Sequence, residues 1–358
     1  MTHRTEASEP FPPVRPGQLA HMHAAVIGWY RDSARALPWR EPEASPWSIL
    51  VCEVMSQQTP VVRVLPRWRE WMGRWPRPSD LAEAPSADVL IAWDTLGYPR
   101  RALRLQETAR AIAERHGDRV PETEEELRAL PGVGDYTAAA VTSFAHRQRT
   151  TVLDVNVRRV LGRAVAGLEH RPSSVSKRER AWAETLVPAR EHVEWNAGLM
   201  ELGALVCTAR NPSCEECPLA QMCAWRSAGK PAHPTSVKRT QAWAGTDRQL
   251  RGAIMRSLRE ASAASGAVAA SAVAAEASSE HAGGSGAAAV PVRLLESPAS
   301  ALSAAEAEFL DALPAPVRAA VLAVRELDAG GERTSRLIAD LVADGLAQRT
   351  DGALHLPV

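Results

Sequence analysis

The 358-residue sequence predicts an all-α core followed by a tail of different character. Two observations carry the fold class. Between Gln18 and about Trp225, helix-start signals and 3.6-residue apolar periodicity recur with short connections, and no convincing alternating strand interrupts them. From about Arg259 to Ala307 the composition collapses into Ala, Ser and Gly. Four cysteines, clustered where the helical region ends, add a constraint on its chemistry.

Ser45-Pro46 and Thr59-Pro60 each read as an N-cap followed by proline at the first helical position, and Pro66 is expected to kink the second of these helices. Helical runs follow at roughly 86–95, 99–116 (stopped by Gly117), 123–130, 135–146, 154–166, 176–187 and 191–206. Residues 1–17 read as a disordered N-terminus, 18–230 as the core, 231–259 as a connector and 260–307 as an Ala/Ser/Gly-rich linker too poor in apolar surface to order itself. The last stretch, 308–358, reads as a small module. Within it Thr334 to Ala343 is helical, and Asp351-Gly352 marks a hairpin turn between two short strands, as at the end of a winged-helix fold.

Composition excludes some classes. Hydrophobic residues are 45% and charged residues 23%, ordinary for a globular chain, and no apolar run is long enough to span a bilayer. The N-terminal stretch lacks the apolar segment of a signal peptide, so a cytoplasmic location is expected. Net charge is zero, which argues against a phosphate-rich partner until the chain is divided. Through residue 240 there are 32 Lys+Arg against 28 Asp+Glu, and afterwards 10 against 14, so the two parts carry +4 and −4. Arg100, Arg101 and Arg104 form one local cluster and Arg158, Arg159 and Arg163 another. Either suits phosphate neutralisation or a solvated helix face.

Cys207, Cys214, Cys217 and Cys223 are separated by six, two and five residues. In a cytoplasmic chain such a quartet binds metal, either tetrahedral zinc or an iron–sulfur cluster. Only one Cys-x-x-Cys knuckle is present, which leans toward iron–sulfur. Four thiolates leave no open position, so the metal is expected to hold the fold and not to perform chemistry. Cys52, inside Ile49-Leu50-Val51-Cys52, reads as a small buried hydrophobe.

Leu130-Pro131-Gly132-Val133-Gly134-Asp135-Tyr136-Thr137 lies between two helical runs. Two glycines there permit a tight hairpin whose amides approach a phosphate at the next helix's N-terminus. This motif, then Leu153-Asp154-Val155-Asn156-Val157-Arg158-Arg159-Val160, then the cysteine quartet, resembles the helix-hairpin-helix DNA glycosylase superfamily, in its iron–sulfur branch with endonuclease III and MutY. The resemblance covers about residues 20 to 225. It implies a core of two helical subdomains, a [4Fe–4S] cluster on Cys207, Cys214, Cys217 and Cys223, and backbone contacts to DNA from Gly132, Val133 and Gly134, with Arg210 near a phosphate.

The subfamily turns on two places. Endonuclease III has a lysine where this chain has Tyr136, and without it no Schiff base forms, which excludes strand cleavage by that route. Leu37-Pro38-Trp39-Arg40 and Cys52-Glu53-Val54-Met55-Ser56-Gln57-Gln58-Thr59 look like the MutY-type signature, and Met200-Glu201-Leu202-Gly203-Ala204-Leu205-Val206-Cys207 is similar to its approach to the cluster. The resemblance implies monofunctional excision of adenine opposite 8-oxoguanine or guanine in duplex DNA by a monomer. Catalytic roles fall to Glu53, Asp154, Tyr136 and Asn156, and DNA or base contacts to Arg35, Trp39, Arg40, Gln57, Gln58 and Tyr98.

Adenine leaves only if its ring is protonated, and the sugar then needs nearby negative charge as it becomes an oxocarbenium ion. Glu53, flanked by Val51, Val54 and Met55, is expected to have a raised pKa and to act as the acid. Asp154 opens a helix, where backbone amides favour the ionised form that faces the sugar. Taken alone, Asp154 reads as an N-cap and Glu53 as a surface residue of an amphipathic helix.

Three departures stand out. Leu96-Gly97-Tyr98-Pro99 replaces the second aromatic of the usual Leu-Gly-Tyr-Tyr, an intercalating residue, by proline. Trp195-Asn196-Ala197 lacks a side chain expected to contact adenine. No Nudix-like 8-oxoguanine-reading loop is recognisable after Trp243. A thymine or uracil mismatch glycosylase, or a catalytically dead lesion sensor, shares much of the pattern; the Glu53 and Gln57-Gln58 segment argues against the first.

Overall fold

The computed structural model describes residues 11–169, 174–232, 243–275 (backbone only from 266), 289–298, 301–328 and 330–358. The chain divides into two compact units, each assembled from two separated segments. One holds residues up to 57 and 114–237; the other holds 58–113 and everything from 238.

Among its described residues the regular elements of the first unit are all helices. It contains α1 (Pro16–Ser33), α2 (Pro46–Ser56), α7 (Glu124–Arg128), α8 (Asp135–Phe144), α9 (Val155–Ala164), α10 (Lys177–Glu184), α11 (His192–Leu205) and α12 (Ala224–Ser227). Ser45 caps α2 as its sequence announces, its hydroxyl accepting the Ser48 N–H at 3.1 Å. Met22, Val26 and Ile27 of α1 pack with Val157, Val160 and Leu161 of α9 and Trp195, Leu199 and Leu202 of α11 into one core, against which Cys207 and Cys217 also rest. α1 and α11 approach closely because Gly198 carries no side chain; a Cβ there would stand 2.9 Å from Val26 Cγ1.

The second unit contains α3 (Val61–Arg74), α4 (Pro78–Glu83), α5 (Ser86–Trp93) and most of α6 (Arg100–His116), with the tail elements α13 (Asp247–Ala275), β1 (Val290–Pro291), α14 (Val292–Glu296), α15 (Ala304–Ala312), α16 (Ala315–Leu327), α17 (Glu332–Ala343), β2 (Gln348–Thr350) and β3 (Ala353–His355). Trp71 stacks edge-on with Trp75 and Trp93, centroids 4.9 and 5.4 Å away. The strands form an antiparallel sheet in the order β1-β3-β2, and the β2–β3 turn uses Asp351 and Gly352 at positive φ, as the hairpin signal foretold.

Several expectations need correction. Helix α3 begins at Val61 with Pro60 as its cap, while Thr59 is buried and its hydroxyl donates to Leu96 O at 3.2 Å. Residues 11–15 are ordered: Phe11 packs on Trp182, whose indole N–H donates to Pro12 O at 2.9 Å. Residues 1–10 lie outside the described residues. The connector and linker reading of 231–307 fails over most of its described length, since α13 runs continuously from Asp247 to Ala275 and α15 starts at Ala304. The physical reason is that alanine, taken as low complexity, is the best helix former. Leu250, Ile254, Met255, Leu258 and Ala261 also line one buried face, which packs on α5 and α16. The Gly-rich centre of that stretch, 276–288, falls outside the described residues.

Gly331 caps α17 at φ 77°, and a Cβ there would overlap the Glu296 carbonyl oxygen. Gly331→Ala is therefore expected to destabilise the full chain by on the order of 3 kcal/mol, through strain and overlap together. A urea midpoint equal to wild type would contradict this packing.

Candidate active site

Helix α2 is buried along almost its whole length, and Glu53 is carried inside with it at 7% exposure, not on a solvated helix face. Tyr136, in the first turn of α8, donates its hydroxyl to Glu53 Oε2 at 2.7 Å. Burial is the main cause that lifts the Glu53 pKa to about 7; the Tyr136 hydrogen bond and the Arg40 charge oppose it, while the Asp154 charge adds to it. Burial also pushes the Tyr136 phenol well up, so it remains a donor at neutral pH. Both groups feel the charge of Asp154, which places the three in one electrostatic neighbourhood.

Asp154 is the N-cap of α9, its Oδ1 accepting the Val157 N–H at 2.6 Å and its Oδ2 the Asn156 Nδ2 at 2.8 Å. The expectation that helix-start amides set its ionisation is corrected in part. Burial pushes its pKa above the ordinary value, and these hydrogen bonds with the nearby Arg159 charge offset the rise without cancelling it.

Asn156 is held in turn, for its Oδ1 accepts Arg159 Nη2 at 2.7 Å. The same guanidinium donates to the carbonyls of Gly203 and Cys207, both at 2.7 Å. A continuous set of hydrogen bonds thus links Asp154 to the backbone of a cysteine. Gly203 makes the approach possible: a Cβ there would stand 2.6 Å from Asn156 Cβ and 2.9 Å from its backbone.

Cys207, Cys214, Cys217 and Cys223 ring a small cavity with Arg163, Val206, Pro212, Ala220 and Arg226. Among the described residues no three His, Cys, Asp or Glu side chains form a group suited to a single metal ion. Four thiols around one cavity give the all-thiolate donor set that an iron–sulfur cluster takes. Burial first, and then the mutual proximity of the sulfurs, pushes the Cys217 thiol up to about 11 and raises Cys223. Holding four thiolates here requires compensating positive charge. Arg163 supplies some of it: 1% exposed, it stands 3.4 Å from Cys207 Sγ, donates to Thr208 O and Ala209 O, and lies over the Trp225 ring at 4.5 Å.

The other expected residues divide. Arg35 and Arg40 do not stand as open base contacts; both bind Glu201, 1% exposed, with Arg35 at 2.7 and 2.8 Å and Arg40 at 2.8 Å. Burial opposes ionisation of Glu201, but those hydrogen bonds outweigh it and bring its pKa down to about 2. Trp39 sits in the short 3-10 turn Pro38–Arg40. Gln57 is the C-cap of α2 and its Nε2 donates to Thr137 Oγ1 at 3.4 Å, whereas Gln58 is exposed at φ 54°. In the hairpin Gly132 takes φ 76°, Val133 is buried and donates to Leu130 O, and Gly134 caps α8 with open space where a Cβ would be. Tyr98 is 47% exposed and Arg210 is exposed. Asn196 is buried, donating to Ser143 Oγ and Thr150 O. Cys52 is buried, as read, its thiol pushed well up by burial.

The arginine cluster 158–163 is not a phosphate surface. Arg158 is buried against Glu179, Arg163 against the cysteine loop, and Arg159 is committed as above. Sequence reasoning missed Arg159, Arg163, Glu201 and Gly203 as organisers of the site. A usable signal existed: Arg159 lies three residues after Asn156 and Arg163 four after Arg159, which puts all three on one side of α9.

Residues 51–184 match the family model described as the HhH-GPD superfamily base excision DNA repair protein, and 207–223 match the iron-sulfur binding domain of endonuclease III. The chain is 54% identical to an adenine DNA glycosylase of Mycobacterium tuberculosis, over 66% of this chain and 78% of that one. Identity to an adenine DNA glycosylase of Mycolicibacterium smegmatis is 50%, over 66% and 80%. The human adenine DNA glycosylase is 39% identical over 58% of this chain and 39% of its own. Among solved structures, a thermostable thymine-DNA glycosylase superposes with a TM-score of 0.54 at 27% identity, over 59% of this chain and 97% of that one. Endonuclease III in a non-covalent complex with DNA gives 0.53 at 21%, over 61% and 100%, a likeness of fold alone.

Gly203→Ala is expected to force α9 away from α11 and lower stability by roughly 1–3 kcal/mol, read as a shift of the urea midpoint. An unshifted midpoint, with the Asn156 side-chain amide resonances unmoved, would refute the tight approach.

Proposed function

The chain belongs to the adenine DNA glycosylases of the helix-hairpin-helix base excision repair family, and from that membership we propose that it removes adenine mispaired with 8-oxoguanine or guanine in duplex DNA, with Glu53 as acid and Asp154 as the stabilising carboxylate. It is an N-glycosyl hydrolase that carries a [4Fe–4S] cluster. The observation that carries the residue roles is the buried Glu53, pKa about 7, held by the Tyr136 hydroxyl at 2.7 Å within the field of Asp154.

The extruded nucleotide costs a few kcal/mol of lost stacking and pairing. The neutral Glu53 carboxyl donates its proton to N7 of the flipped adenine, so the C1′–N9 bond breaks with its electron pair leaving on a neutral base. Positive charge then develops on the deoxyribose, and the Asp154 carboxylate, oriented by Val157 N–H and Asn156 Nδ2, faces it. Water adds at C1′, its proton passing to a carboxylate of the pair. Tyr136 fixes Glu53 and, lacking an amine, offers no Schiff base, which supports hydrolysis without strand cleavage. The cluster supplies a rigid, positively compensated anchor for residues 207–223, and Cys207, Cys214, Cys217 and Cys223 would hold it.

Duplex DNA is the partner of the family fold, and the backbone at Gly132 to Gly134, where α8 opens, is the proposed contact to a phosphate. Arg210, exposed in the loop between Cys207 and Cys214, fits a second phosphate contact. Trp39, Gln57, Gln58 and Tyr98 remain the side chains for base contact, with Arg35 and Arg40 acting through Glu201. A monomer working in the cytoplasm on the nucleoid suits these features; no described helix is long and apolar enough to cross a membrane.

Single-turnover excision, measured on duplexes that differ only in the base opposite adenine, tests the reading. Adenine release is expected opposite 8-oxoguanine and guanine, and Glu53→Gln is expected to slow it by about 10²–10⁴. Thymine or uracil release in its place, or an undiminished Glu53→Gln rate, would refute it.

The proton-donating form of Glu53 exists below its pKa of about 7 and is lost as pH rises through it. The single-turnover rate is therefore expected to fall about tenfold per pH unit above that value. A rate that climbs from pH 7 to 9 would remove Glu53 from the acid role.

A further inference from the structure

Among the described residues three aromatic side chains stand with more than a third of their surface exposed: Tyr98, Trp243 and Phe309, at 47%, 55% and 44%. Two of them share one cation. The Arg248 guanidinium lies 4.8 Å from the Tyr98 ring centroid and 5.4 Å from that of Trp243. Arg101 backs Tyr98 from another direction at 5.7 Å. Tyr98, Arg101, Trp243 and Arg248 belong to the same compact unit, although Trp243 and Arg248 come from the tail.

The backbone presents this cluster deliberately. Trp93 Nε1 and Arg101 Nη2 both donate to Gly97 O at 2.9 Å, and Arg101 Nη2 also donates to Leu96 O, so the turn at Gly97 and Tyr98, both at positive φ, is pinned from beneath. Trp243 is fixed from its own side: its carbonyl accepts the Thr246 hydroxyl at 2.8 Å, just ahead of α13. Gly245, at φ 75°, donates to Gln249 Oε1 and accepts from Arg333. Exposed aromatics held on braced turns, with an arginine between them, form a stacking platform of the kind that bases occupy whatever their sequence. Packing supplies no motive for keeping either ring in water.

We propose that Trp243 and Arg248 extend Tyr98 into a stacking surface for a DNA base exposed when the duplex is opened. The surface supplies from the tail the second aromatic that Pro99 removes. This rests on the reading that the chain opens duplex DNA around a mispaired adenine. It also gives the net-acidic tail a direct role on DNA, because base stacking draws on ring faces and one cation, not on net charge.

The test uses the full chain with its cluster and a duplex carrying 2′-fluoro-2′-deoxyadenosine opposite 8-oxoguanine, in which the fluorine disfavours the oxocarbenium ion and preserves the base. Trp243→Ala is expected to weaken binding roughly tenfold, Trp243→Phe to stay within about twofold of wild type, and Arg248→Ala to weaken binding as well. A photo-crosslinking aromatic amino acid at position 243 is expected to join covalently to the DNA on irradiation. Wild-type affinity in Trp243→Ala, or no crosslink at 243 while one at 98 forms, overturns the proposal. If Trp243→Ala fails to fold, the crosslink decides alone. Adenine release by the wild type in the same preparation separates the two levels: its absence removes the proposed function, whereas its presence with unaltered Trp243→Ala binding removes only this surface.

Discussion

The site depends on how α9 begins. Asp154 caps that helix, Asn156 braces Asp154, Arg159 braces Asn156, and the same guanidinium is spent on the carbonyls of Gly203 and Cys207. Each bond is short and partly buried, so each partner would cost a desolvated, unpaired group if removed. The arrangement converts the position of the cysteine loop into the position of a carboxylate. A cluster held by Cys207 would in this way bear on Asp154 without touching it, through the Cys207 carbonyl that Arg159 binds. Arg163 reinforces the link one turn later, against Cys207 Sγ.

The two carboxyls proposed to share the reaction sit in different surroundings, which differ in the number of donors each receives. Both are buried, which raises both pKa values. Glu53 has one neutral donor, Tyr136, and settles at about 7. Asp154 has a backbone N–H, a side-chain amide and a nearby arginine, all of which favour its charged form. Glu201 marks the far end of the same scale: with Arg35 and Arg40 on it, the pKa falls to about 2 despite burial. Its service is structural, tying the segment around Arg35–Arg40 to α11.

Much of this was legible in the sequence because it is local. The Ser45 cap, the Gly132–Gly134 hairpin, the cysteine spacing, the Asp351-Gly352 turn and the apolar neighbours of Glu53 are all short-range signals. What stayed hidden is long-range pairing. Nothing near Arg158 announces Glu179, and nothing near Arg35 announces Glu201, so an arginine run that looked solvated proved to be internal wiring. The tail was misjudged for a different reason. Alanine lowers apparent complexity while raising helix propensity, and the stripe Leu250–Ile254–Leu258–Ala261 was enough to seat α13.

The zero net charge of a DNA enzyme then finds a physical account. Many of its arginines are occupied within the fold: Arg67 with Glu70 and Asp94, Arg74 with Asp88, Arg100 with Asp344, Arg104 with Glu107, Arg333 and Arg336 with Asp247. The last two lie on α17, and a shared aspartate claims them both. Each such pair cancels one positive charge against an acid of the same chain. The contacts proposed above, backbone amides at a glycine hairpin, a few arginines and stacked rings, are short-range devices suited to a duplex that is already distorted. A weak general hold on intact DNA with a stronger one on an opened mispair is what a search for rare lesions requires.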